Sequence, residues 1–364
     1  MKTKKIIFNI CRYIVGAIFV FSGSVKAIDP LGTVYKIKDY LEPMGLTQFS
    51  DLAIVAAFAL FTVEFVTGVC LISNLNFKLG LWITTLLMAA MTPLTIWIAL
   101  TDPVSDCGCF GDALILSNWQ TFYKNIAIDA LVVVMWLFQK YNRQWKVTIL
   151  AWIVTGATAA ICVGFGIWTL FNLPVIDFRP YYVGADIREQ MEQPEGTHPD
   201  IYETYFIYEK NGEQKQFTLM NAPYSDTTWV FVDQVSELKE KGVQPPIHDF
   251  FIETLDGEDI TEEILDDQKT TYFVVMWNLD ITDTSSLAGI DNLYKQAKNN
   301  GERFIALTAS DDITIAAFAE KHNIKYEFCI VDPIQLKTMV RANPGIVTIK
   351  NGIVTDKYNA NKLK

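Results

Sequence analysis

The chain has 364 residues, 51% of them hydrophobic, with a mean hydropathy of +0.20 and a formal net charge of −11. The charge is unevenly held: residues 1–173 carry 12 Lys+Arg against 9 Asp+Glu and the remainder 18 against 32, net charges of +3 and −14. This division excludes a single soluble domain, a disordered chain and a nucleic-acid binder, which needs a basic face; it fits a membrane-embedded half followed by an acidic, water-exposed half.

A helix crosses the hydrocarbon with about 20 predominantly apolar residues. Five stretches meet that requirement: 6–25, 52–73, 79–100, 119–138 and 148–173. Asn9 and Arg12 interrupt the first, Glu64 lies in the second, and Lys124 and Asp129 lie in the fourth. One set of span ends holds Lys2, Lys4, Lys5, Lys78, Lys140, Arg143 and Lys146. The alternate set holds Asp29, Asp39, Glu42, Asp51, Asp102, Asp106 and Asp112, diluted by a few lysines. Basic residues in short loops stay cytoplasmic. The N-terminus is therefore expected inside, and everything after the fifth span outside: the periplasm, for a protein of the bacterial inner membrane. The start also imitates a signal peptide, with Lys2, Lys4 and Lys5, an apolar run and Val25-Lys26-Ala27. Arg12 and the length of the run favour its retention as a span.

The pattern then turns mixed and polar. A hairpin is expected from 202–208 and 215–219 around Asn211-Gly212, a strong turn signal. A strand at 228–232 leads into a short charged helix at 234–241, and Pro245-Pro246 reads as a boundary. Beyond it the elements alternate: strand 271–277, helix 285–299, strand 303–308, and helix 313–322 behind Asp311 or Asp312. Strand 326–331 and helix 333–342 behind Asp332 follow, and the last hairpin, 346–350 with 353–357, turns at Asn351-Gly352. Such alternation ending in a hairpin is an α/β sandwich. The expected division is thus 1–173, a transmembrane helical domain; 174–244, an extracytoplasmic connector with a β-hairpin; and 245–364, an α/β domain.

Over its last 120 or so residues the chain resembles the thioredoxin-like family, on the order of its elements and on Asn343-Pro344 just before the last hairpin. That family places a cis-proline there. Its redox-active members carry Cys-x-x-Cys after the strand matching 271–277, where this chain reads Asn278-Leu279-Asp280-Ile281-Thr282-Asp283-Thr284. Without a thiol that motif cannot run dithiol exchange, so binding is the use expected of this domain.

Of the six cysteines, Cys11, Cys70 and Cys162 lie in apolar spans and Cys329 in a strand, where a lone Cys is usually a small buried hydrophobe. Cys107 and Cys109 are paired in Ser105-Asp106-Cys107-Gly108-Cys109-Phe110-Gly111-Asp112. Three readings stand. The pair exchanges as a strained, readily reduced disulfide in a very small ring freed by Gly108; or it is a static clip; or two thiolates with Asp106 or Asp112 hold a soft metal ion, for which a usual four-ligand site is lacking. Asp106 and Asp112 are expected to raise the thiol pKa values, with Lys124 offsetting part of this.

Isolated charges in lipid are costly and should face the bundle interior or a partner. Glu64 and Asp129, each about a dozen residues from the outer boundary, are expected to meet at similar depth. Lys124 is expected to pair with Asp129 or snorkel outward, and Lys26 to snorkel before an Asp29-Pro30 turn. His198, His248 and His322 are scattered, and there is neither a Gly-rich phosphate loop nor a Gly-x-Ser-x-Gly elbow.

Residues 21–32 (Phe-Ser-Gly-Ser-Val-Lys-Ala-Ile-Asp-Pro-Leu-Gly), Glu64 with Gly68, and 106–112 followed by Asn118-Trp119 together resemble the DoxX-like membrane family. More narrowly they resemble the methylamine utilisation MauE proteins, which have a similar Cys-Gly-Cys-Phe-Gly loop. The resemblance covers about the first 140 residues. It implies a four-helix core related to vitamin K epoxide reductase, a role in disulfide formation or maturation of exported proteins, and Cys107 and Cys109 as the redox pair. The epoxide-reductase Cys-x-x-Cys within a span is absent. The expected function is a membrane thiol–disulfide component. Its partners would be the lipid bilayer and exported clients or a separate redoxin, with a quinone as a candidate electron acceptor. Lys26, Glu64, Asp106, Asp112, Lys124 and Asp129 would support the pair. The alternatives are a non-catalytic scaffold and a proton or small-solute path lined by Glu64 and Asp129.

Overall fold

A computed structural model describes residues 2–104, 106–142, 149–240 and 242–364. Ser105 of the cysteine loop, Arg143 and Lys146 of the basic set, Thr148 at the start of the fifth stretch and Lys241 of the expected charged helix lie outside the described residues.

Among the described residues, five helices are long and apolar enough to cross a membrane: α1 (Lys2–Ile28), then, after the short α2 (Pro30–Leu41), α3 (Ala53–Ser73), α4 (Phe77–Thr101), α5 (Asn118–Phe138) and α6 (Ile149–Asn172). The chain is a multi-pass membrane protein. One core is shared by α1, α3, α4 and α5 through Phe8, Phe19, Leu71, Leu81, Met88 and Met135, while α6 leans on α3 through Cys162 and Phe61. Helices α1 and α3 cross with their backbones touching. A Cβ on Gly68 would lie 2.6 Å from the Gly16 carbonyl oxygen, and one on Gly23 2.6 Å from the Phe65 nitrogen. Hydrophobicity cannot drive helices together in lipid, so close packing of small residues does. Arg12, which interrupts the first span, is buried and donates to the Leu71 and Ile72 carbonyls at 2.5 and 3.0 Å. These are among the last carbonyls of α3, which the helix itself leaves unpaired.

The expected turn at Asp29-Pro30 is instead a helix start. Asp29 caps α2 by accepting from the Gly32 nitrogen at 2.9 Å, and Pro30 occupies the first turn, where its missing N–H costs nothing.

After α6 come α7 (Ile187–Met191), β1 (Ile201–Lys210), β2 (Glu213–Thr218) and β3 (Val230–Glu240), the strands forming an antiparallel sheet of order β2-β1-β3. The hairpin turns at Asn211 and Gly212 (φ +56° and +83°), as the type I′ signal requires. The expected helix at 234–241 is not formed, and β3 continues to Glu240, with Ile201 opposite Glu240 and Tyr202 opposite Leu238. The long open edge of β1 offers this segment a ladder of partners, which outweighs the modest helix propensity of Glu237, Leu238, Lys239 and Glu240.

The rest is β4 (Glu253–Thr254), α8 (Thr261–Leu265), β5 (Thr271–Val275), α9 (Leu287–Asn299), β6 (Arg303–Thr308), α10 (Asp312–His322), β7 (Glu327–Ile330), α11 (Pro333–Met339), β8 (Gly345–Lys350) and β9 (Ile353–Asn359). The six strands lie in the order β4-β7-β6-β5-β8-β9, with β5, β6 and β7 parallel and the remaining pairs antiparallel. One face is covered by α9 and α10 through Ile290, Ala297, Ile315 and Phe318. The other is covered by α8 and α11 through Ile264, Leu265, Leu336 and Met339, joined by Tyr181 and Ile187. Asp311 caps α10 by accepting from the Thr314 nitrogen at 2.8 Å. Helix α11 ends at Met339 rather than 342, because Val340 is already extended (φ −147°) on the way to the cis peptide Asn343-Pro344.

Candidate functional site

The α1–α3 crossing decides where Lys26 points. Its ammonium is buried and donates to the Glu64 carboxylate (2.7 and 3.0 Å), the Ser22 hydroxyl (2.7 Å) and the Cys109 carbonyl (2.8 Å). The Ser22 hydroxyl lies 2.9 Å from Glu64 Oε2 and 2.7 Å from the Cys109 carbonyl oxygen, so its one proton serves either acceptor. Glu64 is 8% exposed and Lys26 5%. A buried ion pair persists only where further hydrogen bonds satisfy both partners, and here Ser22 and the Cys109 backbone do so. Lys26 therefore does not snorkel; it pins the cysteine loop to the bundle.

Glu64 and Asp129 do not meet. The close α1–α3 approach gives Glu64 a cation on α1, while Asp129 accepts from the Thr92 hydroxyl at 2.7 Å on α4. Nor does Lys124 pair with Asp129. Five residues turn a helix by about 140°, so the two leave α5 on different faces. Lys124 lies over the Phe110 ring, 4.5 Å from its centroid, and lines the same small cavity as Cys109.

The loop between α4 and α5 is held residue by residue. Lys36 of α2 donates to Asp106 Oδ2 at 2.9 Å, and Asp106 Oδ1 accepts from the Gly108 nitrogen at 2.7 Å. The Tyr40 hydroxyl donates to the Cys107 carbonyl at 2.6 Å. Gly108 has φ +65°, and a Cβ there would lie 2.6 Å from Lys36 Cγ, so both backbone and space require glycine. In this turn the Cys107 and Cys109 sulfurs stand 3.0 Å apart.

The two thiols are electrostatically unequal. The hydrogen bond from Cys107 lowers the Cys109 pKa, and the Lys124 and Lys26 ammoniums add to this against the opposing effect of burial. Cys107 is pushed well up by sharing its proton with Cys109 and by burial. The flanking acids are themselves engaged: Asp106 is paired with Lys36, and Asp112 accepts from Arg341 at 3.1 Å. With its pKa lowered, the Cys109 thiolate is populated at pH values where an ordinary thiol, pKa about 8.5, remains protonated. Iodoacetamide is thus expected to label Cys109 before Cys107, and the Cys109 rate to fall only as pH drops below the ordinary thiol range. A free-cysteine profile at Cys109, read by mass spectrometry, would contradict this ordering.

A cavity of ≈ 210 Å³ opens beside the pair, lined by the apolar Leu60, Met91 and Leu94 together with Lys36, Cys107 and Cys109. A smaller one of ≈ 40 Å³ lies toward the bundle, bordered by Glu64, Lys124 and Asn125; Cys109 and Met91 line both. Among the described residues no group of three or more His, Cys, Asp and Glu could hold a metal ion. The two acids considered as ligands are instead engaged by Lys36 and Arg341.

Tyr40, Lys36, Ser22 and Arg341 were not among the residues expected at the site. Tyr40 and Lys36 are carried by α2, whose Asp29-Pro30 start was a readable signal. Arg341 lies 229 residues from Asp112 and has no local signal at all. Residues 4–139, which take in nearly all of α1 to α5 and the Cys107–Cys109 loop, match the family described as Methylamine utilisation protein MauE. Residues 202–241, most of the three-stranded sheet, match a domain of unknown function (DUF8463). No curated protein matches the chain.

Proposed function

We propose that this membrane protein is a thiol–disulfide component serving exported proteins, with Cys107 and Cys109 as its exchanging pair. The observation that carries the reading is the pair itself: two sulfurs 3.0 Å apart on one tight turn, with the Lys26 ammonium held at the Cys109 backbone. The distribution of basic residues supports placing the loop and the following α/β half on the extracytoplasmic side of a bacterial inner membrane. The match to the MauE family supports an accessory or maturation role. The reading of residues 245–364 as thioredoxin-like without its Cys-x-x-Cys is supported by the parallel β7-β6-β5 core flanked by the β8-β9 hairpin and by cis Asn343-Pro344 before β8. The DoxX-like likeness of the bundle is part of the same proposal.

In this reading the Cys109 thiolate attacks a client disulfide, forms a mixed disulfide and releases one client sulfur as thiolate, which takes up a proton. Cys107 then loses its proton and attacks the Cys109 sulfur. That closes the Cys107–Cys109 bond and frees the second client sulfur, and the reverse sequence oxidises a client dithiol. A quinone-type acceptor fits the chemistry of the cavity. Leu60, Met91 and Leu94 would hold it beside the pair, and when bound it would supply a two-electron, two-proton acceptor for the Cys107/Cys109 dithiol that client oxidation leaves behind. The test uses an aromatic disulfide whose thiolate is coloured. The reduced wild type is expected to release two equivalents, and Cys107→Ser to release one and retain the adduct on Cys109. Cys109→Ser should react roughly tenfold more slowly or worse, since the thiolate is the nucleophile. Equal release by wild type and Cys109→Ser would sink the proposal. A non-catalytic scaffold is the second reading, favoured by the thiol-free stretch 278–284; stable partners retained by a Cys107→Ser/Cys109→Ser variant would support it.

A further inference from the structure

The edge of the α/β half that carries Trp277 and the thiol-free stretch is seated on the same short helix that holds the cysteine loop. Trp277 meets Tyr35 of α2 edge to face, with centroids 6.4 Å apart, and the Lys337 ammonium lies 4.7 Å from the Trp277 centroid and 5.5 Å from that of Tyr35. Arg341, 8% exposed, donates through Nε to Asp29 at 2.9 Å and through Nη2 to Asp112 at 3.1 Å, and its guanidinium lies 5.2 Å from the Tyr35 centroid. One side chain thus ties the start of α2 to the far end of the cysteine loop. Further along α2, Lys36 and Tyr40 grip Asp106 and Cys107. The irregular segment after α6 also takes part: Pro174, Ile176, Phe178 and Arg179 line the same cavity as Cys107 and Cys109. Cys107 is 6% exposed and Cys109 is half-buried.

A small reagent can enter such a cavity, whereas a folded client cannot bring a sulfur to it while the seat is filled. Many of the contacts described at the seat are ionic or cation–π, the kind of junction between halves of a chain that opens without unfolding either; Asn359 also donates to the Leu170 carbonyl at 3.5 Å, and Leu173 packs into the α/β core. The connection that would remain is the end of α6, where Leu173 (φ +71°) precedes Pro174.

We infer that the α/β half is a built-in cap over the Cys107–Cys109 loop, latched by Arg341 on Asp29 and Asp112, and that it must lift for a protein partner to reach the pair. The occlusion rests on geometry and holds whether or not the pair exchanges; only its use as a gate depends on the function proposed above.

The test compares N-ethylmaleimide with a maleimide carrying a 5-kDa polymer (about the bulk of a small protein segment) on the full-length, reduced protein in detergent, with labels mapped by mass. In the wild type the polymer reagent should lag far behind the small one. Arg341→Gln should raise the polymer rate about tenfold relative to the small-reagent rate of the same variant, the weight of one charge-assisted hydrogen bond, the ratio cancelling any change in the reactivity of the thiol itself. Trp277→Ala, which touches α2 but not the loop, should move it in the same direction. No change in the polymer rate in either variant would overturn the cap. So would a parallel rise for both reagents, which would mean that the loop itself had loosened. Because alkylation needs only thiols, a failed coloured-disulfide assay with a positive polymer result would reject the exchange reading and leave the cap standing.

Discussion

Replacing Lys26 with Met is expected to destabilise the protein by about 3–5 kcal/mol, because removing one partner of a buried ion pair leaves the other charge uncompensated. Glu64, 8% exposed, would keep only the Ser22 hydroxyl. The Cys109 carbonyl would also lose the ammonium that holds the loop to the bundle at 2.8 Å. Glu64→Leu should cost a similar amount by stranding Lys26. The double variant Lys26→Met/Glu64→Leu should recover most of the loss, since apolar replacement of a whole buried pair is often neutral. Its cysteine loop should nonetheless remain less well held, with Cys109 losing part of its preferential alkylation. Thermal unfolding in detergent, arranged as a double-mutant cycle, measures the coupling. Additive losses in the double variant would mean that the two groups do not depend on each other, contrary to the geometry.

Gly108→Ala is expected to abolish most of the exchange while leaving the melting of the rest of the molecule nearly unchanged. An L-residue in the left-handed region costs about 1–2 kcal/mol, and the new methyl would sit 2.6 Å from Lys36 Cγ. Relief requires either that Lys36 leave Asp106 or that the turn open, and both move the sulfurs apart. Gly108→Ala/Lys36→Ala removes the obstacle but not the backbone strain, so it should recover activity only in part; full recovery would show that sterics alone governs the position. Release from the coloured disulfide reads the effect, and wild-type release by the single variant would refute the assigned role of the turn.

How much of this could be read without coordinates varied with the range of the signal. Five apolar stretches became five long helices, displaced by a few residues at their ends, because hydropathy summed over a span is a local property. The turns at Asn211-Gly212 and Asn351-Gly352 fell where expected, both with positive φ, because so few residues adopt that conformation. The charged segment ending at Glu240 was misread because its helix propensity is weak and its strand partner, Ile201, lies far back in the chain. Helix α2 was encoded by Asp29 and Pro30 yet taken for a turn, since the same two residues open both.

The sequence by itself determined that this chain enters a membrane, that an acidic α/β half follows, and that Cys107 and Cys109 share one tight loop, all consequences of composition and near-neighbour spacing. The tertiary structure alone decided the partners. Lys26 meets Glu64 because Gly16, Gly23 and Gly68 let two backbones touch. Lys124 serves Cys109 rather than Asp129 because of its place around α5. Arg341 reaches Asp29 across 312 residues because the α/β half sits on α2. A charge's partner depends on which helix faces cross and what packs above them. No local pattern carries that information, and the burial that makes such a pairing strong exists only once the chain has folded.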